Sequence, residues 1–433
     1  MKIALINHGC AKNLVDSELI LGALEQKGYE ITLDETDAEI VIVNTCAFIH
    51  DAEKESIRSI LEMVEEGKKV IVAGCLSQKY NEELKQAIPE ISGMIGAKNV
   101  KDIIGIIENI DKNYTSSVDK NSNFKYPEDV ERQQITVGAS SYIKIGDGCN
   151  YQCGYCIIPK LRGKYVSRPV ENIVKEAKDL IQKGVTEIIL IAQDTSSYGI
   201  DLYGKQALPR LLKELNNLEG LEWIRIMYAY PTQMTDELID AIANLEKVVK
   251  YVDIPLQHSH PRVLESMKRP VMDNALLVEK IRKKIPNVAI RTSLIVGYPG
   301  ESEEEFEHLY NFVKNVKFDR LGVFEYSREK GTYSDTLKPQ IPSKTKKIRR
   351  EKIMKLQQAI SLGNNRKYID KVLKCIVEGY TDNGDVILRS EHDAPEVDGL
   401  VYAKSKTPVV PGDIEKVKIN DVNEYDLYGE IVE

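Results

Sequence analysis

Three thiols stand within eight residues of this 433-residue chain, at Cys149, Cys153 and Cys156, spaced by four positions and then three. A thiolate is a soft ligand, so several on one short segment select zinc or an iron–sulfur cluster. A structural zinc site would want a fourth ligand, and no His or further Cys follows within forty residues. A disulfide is disfavoured by the odd total of seven cysteines, and inert buried thiols rarely cluster on one loop. Three thiolates can instead hold three corners of a cubic four-iron cluster, leaving the fourth iron open to a small molecule. The strand-like residues 142–145 and the turn Gly146-Asp147-Gly148 come just before, which puts the thiols on a loop at a strand end.

Three more cysteines are far apart in sequence but share one context. Cys10, Cys46 and Cys75 each follow a short run rich in Ile and Val. If those runs are parallel strands, the fold brings all three to one edge of the sheet, where such sheets bind ligands. The expectation is a second three-thiolate cluster; a zinc site of three Cys and one His, taken from His8 or His50, is the alternative. The seventh cysteine, Cys375, lies inside a strand-like run and reads as core.

The elements that must position these thiols follow from periodicity. Residues 2–7, 39–44 and 69–73 suit buried parallel strands, and residues 16–27, 52–66 and 80–87 have helical spacing. Residues 1–112 therefore form an α/β domain with a doubly wound parallel sheet, and the polar residues 113–134 a linker. Over 135–365 the alternation resumes, with strands at 142–145, 187–192, 223–228, 251–255, 288–296 and 321–326 and helices such as 169–183, 208–215, 235–245 and 302–316. Six such units suit a partial (β/α)6 barrel, whose active face is the carboxyl end of its strands. Gln193, Gln257 and Gly297 follow the second, fourth and fifth of them. Residues 367–433 shift to short strands at 374–378, 385–389, 400–403 and 415–419, suiting a small five-stranded β-barrel. The basic run 344–355 reads as a solvated helix face, because Ile348, Ile353, Met354 and Leu356 give it helical apolar spacing.

With 42% hydrophobic and 29% charged residues the composition is that of a soluble globular protein. No apolar run reaches the roughly 18 residues of a membrane span, and Asn7-His8-Gly9-Cys10 ends the short apolar start without a signal-peptide cleavage pattern. The expected compartment is the reducing cytoplasm, where thiolates stay available to metal. A net charge of −8 argues against a broad nucleic-acid surface. Residues 367–433 alone hold 8 Lys and Arg against 15 Asp and Glu, which makes this end domain the acidic one.

The pattern CxxxCxxC, with aromatic Tyr155 before its last cysteine, resembles the radical S-adenosylmethionine (SAM) superfamily. The continuation Ile157-Ile158-Pro159-Lys160-Leu161-Arg162-Gly163-Lys164, then Ser167-Arg168, resembles its methylthiotransferase branch. Asn7-His8-Gly9-Cys10-Ala11-Lys12-Asn13-Leu14-Val15-Asp16-Ser17-Glu18, Asn44-Thr45-Cys46-Ala47-Phe48-Ile49 and Gly74-Cys75-Leu76-Ser77-Gln78 are similar to that branch's amino-terminal domain, and the carboxy-terminal residues to a TRAM domain. The resemblance implies a transferase with two 4Fe-4S clusters. Cys149, Cys153 and Cys156 would hold the one that binds and cleaves SAM to a 5′-deoxyadenosyl radical, and Cys10, Cys46 and Cys75 an auxiliary one that handles sulfur. It also places Tyr155, Gln193, Gln257 and Gly297 against SAM, and implies a protein reductant such as flavodoxin or ferredoxin.

One methylthiotransferase branch modifies a tRNA adenosine, the other the β-carbon of an aspartate in protein twelve of the small ribosomal subunit. Gln193-Asp194-Thr195-Ser196-Ser197-Tyr198-Gly199, Asp253-Ile254-Pro255-Leu256-Gln257-His258 and the Cys10 segment resemble the ribosomal-protein branch. The acidic end domain agrees, since it would repel tRNA phosphates and attract a basic ribosomal protein. The tRNA branch is the alternative.

Overall fold

The computed structural model describes residues 1–47, 50–98, 100–119, 125–135 and 138–432. They form two compact units, one made of Met1–Val137, Gly146–Gln152 and Cys156–Arg168, the other of Gly138–Ile145, Cys153–Tyr155 and Pro169–Glu433.

The first unit is built on a parallel sheet. Its elements are β1 (Lys2–Asn7), α1 (Ala11–Gln26), β2 (Glu30–Ile31), β3 (Ile40–Thr45), α2 (His50–Glu65), β4 (Lys69–Gly74), α3 (Cys75–Ala87), β5 (Gly93–Gly96), α4 (Ile103–Glu108) and β6 (Thr115–Ser117). The strand order is β2-β1-β3-β4-β5-β6. β3 reads Ile-Val-Ile-Val-Asn-Thr and is buried throughout, as a strand covered on both faces must be. The chain steps outward from β1 to β2 and then crosses back to β3. The order therefore reverses between β1 and β3, and their carboxyl ends are where a sheet of this kind binds its ligands.

Two boundaries differ from the sequence reading. The linker expected at 113–134 supplies an edge strand, β6, whose Thr115, Ser116 and Ser117 pair in parallel with Gly93, Met94 and Ile95. An edge strand of three hydroxyl residues carries no apolar alternation, so pattern alone could not reveal it. The third helix begins at Cys75 rather than near residue 80, where Tyr80 (φ −124°, ψ 28°) kinks it into two stretches.

After β7 (Ser140–Lys144), which belongs to the second unit, the chain contributes β8 (Gly146–Asp147), α5 (Ile158–Arg162) and β9 (Val166–Ser167) to the first. β8 and β9 pair antiparallel, and Ile157 and Leu161 are buried in the first unit's core.

The second unit continues with α6 (Val170–Gln182), β10 (Glu187–Ile191), α7 (Ile200–Tyr203), α8 (Leu208–Asn216), β11 (Trp223–Ile226), α9 (Asp236–Asn244), β12 (Tyr251–Asp253), α10 (Pro261–Ser266), α11 (Asn274–Lys284), β13 (Ala289–Val296), α12 (Glu303–Val316), β14 (Arg320–Glu325) and α13 (Ser343–Asn365). Parallel sheets β7-β10-β11 and β12-β13-β14 are linked by a parallel bridge between Ile224 and Val248. Six parallel strands thus follow chain order around an open barrel. On α13, Ile353 is buried as its spacing requires. Ile348, expected on the same apolar face, is mostly exposed, and Arg349 takes an inward position because it pairs with Glu301 at 3.0 Å.

A closed barrel, β15-β16-β17-β19-β18, ends the unit: β15 (Val372–Tyr380), β16 (Val386–Ser390), β17 (Val401–Lys404), β18 (Ile414–Val422) and β19 (Leu427–Val432). Cys375 lies in its core, fully buried.

Candidate metal centre

Cys10, Cys46 and Cys75 follow the carboxyl ends of β1, β3 and β4, which are neighbours in the sheet. Cys10 is the residue before α1 and Cys75 the first residue of α3. A helix amino terminus favours the ionised thiolate that binds metal. The glycines before them let the strand ends approach. Gly9 has φ +120°, and a Cβ there would stand 3.2 Å from the Cys46 Cβ and 2.9 Å from Asn13 Nδ2. Gly74 has φ +92°, and a Cβ there would overlap Asn44 Oδ1 and the Thr45 carbonyl.

Asn13 ties these ends together. Its Nδ2 donates to the His8 carbonyl at 3.2 Å and the Thr45 carbonyl at 2.9 Å, and its own carbonyl accepts from Asn44 Nδ2 at 2.8 Å. Its Oδ1 accepts from Arg162 Nη2 at 2.9 Å. Arg162, on α5, is 2% exposed and donates from Nη1 to Asp16 at 2.8 Å and Asp147 at 3.0 Å. Its Nη2 also lies 3.6 Å from Cys75 Sγ, within hydrogen-bond range for the larger sulfur atom.

The electrostatics of the two thiols diverge. Burial pushes the Cys75 thiol up, with Arg162 opposing it. Desolvation also works against ionisation at Cys10, but Lys12, the Asn13 N–H and Arg162 outweigh it and bring that thiol below its ordinary value. Soft donors at helix amino termini beside a buried cation suit an anionic iron–sulfur cluster. Among the described residues, no three His, Cys, Asp or Glu are gathered as ligands of a single ion. Cysteines on a cubic cluster sit on different irons, so their sulfurs stand farther apart than the ligands of one ion. His8, the nearest candidate for a zinc site, is engaged elsewhere: its Nε2 is 2.8 Å from Ser59 Oγ and its Nδ1 3.7 Å from Glu55. His50 is exposed on α2.

The CxxxCxxC loop is held through its backbone. In the first unit, the Cys149 N–H donates to the Gly163 carbonyl at 3.1 Å. In the second, the Gly154 N–H donates to the Met267 carbonyl at 2.8 Å, and its carbonyl accepts from Ser334 N–H at 2.8 Å. A Cβ at Gly154 would meet Tyr298 Oη at 3.0 Å. Arg269, nearly buried, places Nη1 3.9 Å from Cys153 Sγ, donates from Nη2 to the Pro255 carbonyl at 2.6 Å and covers the Tyr230 ring at 4.1 Å.

The strand-end residues of the barrel vary in what they offer. Tyr155 packs against Val263, Met267, Tyr298 and Tyr326. Gln257 adopts φ +71° and is locked by its backbone to β13, donating to the Ser293 carbonyl at 2.8 Å and accepting from Ile295 at 2.7 Å. Gln193 is half-buried, one residue ahead of Asp194, whose carboxylate accepts from Ser196 N–H at 3.1 Å and shapes the turn. Gly297 has φ +70°, with the Lys346 side chain occupying the side a Cβ would take. Its turn is fixed by Glu301, which accepts from Tyr298 N–H at 3.0 Å; burial pushes that carboxyl up to about 7 against the pull of Arg349.

Known proteins match this arrangement along its length. Family models match residues 2–96 (Uncharacterized protein family UPF0004), 143–313 (Radical SAM superfamily) and 369–432 (TRAM domain). The "Ribosomal protein uS12 methylthiotransferase RimO" of Thermoanaerobacter sp. (strain X514) is 46% identical, with 99% of each chain covered. This chain belongs to the RimO family. The protein of the same name from Caldanaerobacter subterraneus subsp. tengcongensis is 48% identical, again with 99% of each covered. Among solved structures, the radical S-adenosylmethionine methyltransferase TsrM of Kitasatospora setae has a TM-score of 0.56 at 16% identity, covering 74% of this chain and 72% of its own, which is a likeness of fold. The family and the fold therefore agree with the radical SAM resemblance, the barrel and the TRAM domain.

Arg162, Asn13, Asp147 and Arg269 escaped the sequence reading. Arg162 lies inside a quoted motif, but the partners that give it meaning are 146 and 149 positions away.

Proposed function

We propose that this chain is a radical SAM methylthiotransferase that adds a methylthio group to the β-carbon of an aspartate in ribosomal protein uS12. One observation carries the reading: full-length likeness to curated uS12 methylthiotransferases in a chain with cysteines at three adjacent strand ends and a separate CxxxCxxC loop.

Cys149, Cys153 and Cys156 would hold the 4Fe-4S cluster that the radical SAM family implies, and Cys10, Cys46 and Cys75 a second. The first cluster, when reduced, would supply the electron that splits the carbon–sulfur bond of SAM, and the second would supply a carrier for sulfur. The chain's own residues prepare both sites. Gly154, held by Met267 and Ser334, fixes the loop that carries Cys153, and Arg269 sets a positive charge beside that thiol. The Gly297–Gly300 turn, braced by Glu301, and the locked backbone of Gln257 present fixed polar groups at strand ends, where SAM is expected. Tyr155 offers an aromatic face for the adenine. At the other set, Lys12 and the Asn13 N–H favour the Cys10 thiolate.

A protein substrate suits the acidic end domain better than tRNA does. A reductant such as flavodoxin or ferredoxin would feed the electron in the cytoplasm; among the described residues no helix is long and apolar enough to cross a membrane. The test is anaerobic turnover of the full chain with SAM, reductant and sulfide, offering uS12 and tRNA transcripts in parallel and reading both by mass spectrometry. A mass gain of one methylthio group on uS12 alone is expected; a gain on the transcripts instead would overturn the reading.

A further inference from the structure

Beyond its pull on the Cys10 and Cys75 thiols, Arg162 has no part in the chemistry above, yet its side chain is fully committed. A guanidinium that is 2% exposed needs its charge answered, and two carboxylates, Asp16 and Asp147, answer it at 2.8 and 3.0 Å. An ion pair that served packing alone would need no more. The second nitrogen instead turns the other way, to Asn13 Oδ1 at 2.9 Å and Cys75 Sγ at 3.6 Å. Asn13 is the residue that ties the His8 and Thr45 carbonyls, one beside Cys10 and the other beside Cys46. The flat fork of an arginine can serve two such directions at once, whereas a lysine is a single point of charge.

We propose that Arg162 is a positioning residue for the second cluster: it orients the Cys75 sulfur through an N–H···S bond and sets that cluster's reduction potential. The proposal rests on the reading that Cys10, Cys46 and Cys75 hold a cluster. Reduction adds negative charge to an assembly already made anionic by its thiolates. A buried cation hydrogen-bonded to one of those sulfurs stabilises the reduced form more than the oxidised one. Asp16 and Asp147 act in the opposite sense, because they offset part of the arginine's charge. The direction of each effect is therefore fixed by geometry. Removing the arginine should make the cluster harder to reduce, and neutralising Asp16 should make it easier.

The experiment uses the full chain with Cys149, Cys153 and Cys156 all changed to Ala, so that any remaining iron reports the second site. Arg162→Lys, Arg162→Gln and Asp16→Asn are compared with that parent for iron and sulfide per chain, melting temperature, and midpoint potential by EPR-monitored redox titration. Arg162→Lys keeps the charge and one ion pair and should retain the iron. Loss of the N–H···S bond should still lower its reduction equilibrium about tenfold, which is 59 mV for a one-electron couple. Arg162→Gln should move further in the same direction, and Asp16→Asn should move upward. A merely structural arginine would lower the melting temperature in all three without shifts of opposite sign. Iron retained in Arg162→Lys at an unchanged potential overturns the proposal, and because this variant keeps the buried charge paired, it decides even if Arg162→Gln does not fold. A parent chain without iron overturns the underlying reading and the proposal with it.

Discussion

At the scale of single residues, the two thiol sets differ in how each is wired to its surroundings. Cys153 stands beside Arg269, whose other nitrogen is fixed to the Pro255 carbonyl, while Cys10 is activated by Lys12 and the Asn13 N–H. If the sets do separate work, substitutions should separate two products. Cys153→Ala should abolish 5′-deoxyadenosine formation, because a cluster left with two thiolates loses its hold on the iron. Cys10→Ala should still form 5′-deoxyadenosine but add no methylthio group to uS12. Chromatography of 5′-deoxyadenosine beside mass spectrometry of uS12 reads both, and persistent 5′-deoxyadenosine in Cys153→Ala would refute the assignment. The CxxxCxxC loop was legible in sequence because offsets of four and three among seven cysteines are informative by themselves. Arg162, Arg269 and the Lys346 side chain over Gly297 were not. Each takes its role from a partner far along the chain, and no local pattern encodes that.

At the scale of elements, the sheet order does most of the positioning. Runs of Ile and Val made β1, β3 and β4 legible, and the order reverses between β1 and β3, the point at which open parallel sheets bind their ligands. What the runs do not show is how tightly those ends must approach. Gly74 adopts φ +92° with Asn44 and Thr45 where its side chain would be, whereas Gly28 has φ +82° and open space around it. Gly28→Ala should therefore cost only the strain of a left-handed backbone, about 1 kcal/mol. Gly74→Ala adds an overlap at the strand end that carries Cys75 and should cost roughly 3 kcal/mol, by the scale of overpacked sites. Urea unfolding of the two variants gives the costs, and iron analysis gives the consequence: Gly74→Ala should lose iron while Gly28→Ala keeps it. Equal costs with equal iron would show that the close approach of β3 and β4 does not matter to the site. The edge strand β6 and the early start of α3 were missed for a related reason, since hydroxyl residues and a kinked turn leave no periodic trace.

At the scale of the whole chain, the end domain is more than an appendage that offers acidic surface. Its β16 and the loop after it reach the amino-terminal ends of the barrel strands within the second unit. Arg389 pairs with Glu187 at the start of β10 and donates to Ser140 Oγ at the start of β7 at 2.9 Å. Arg225 of β11 also holds Glu187, at 2.8 Å, and donates to the Glu391 carbonyl at 2.9 Å. Asp393 pairs with Arg320 of β14, and Tyr251 of β12 donates to Asp398 at 2.6 Å. The active face of such a barrel is at the other end of its strands, so this joint serves stability and lies away from that face. Burial alone would raise the Glu187 carboxyl, but Arg389 and Arg225 outweigh it and hold it down at about 2. Its folded value thus lies below the unfolded one. The contribution is complete above the ordinary glutamate range near pH 4.5 and is lost as pH falls towards 2, a change of roughly 3 kcal/mol. Glu187→Gln should erase that acid-side slope and, at neutral pH, leave two buried guanidinium groups short of an anion at a cost of about 3–5 kcal/mol. Thermal unfolding across pH 2.5 to 7 compares the two chains. Their stabilities should lie far apart at neutral pH and converge as the medium becomes acidic, because protonation then does to the native chain what the substitution has already done. Parallel curves would mean that the charge on Glu187 is not what joins the end domain to the barrel.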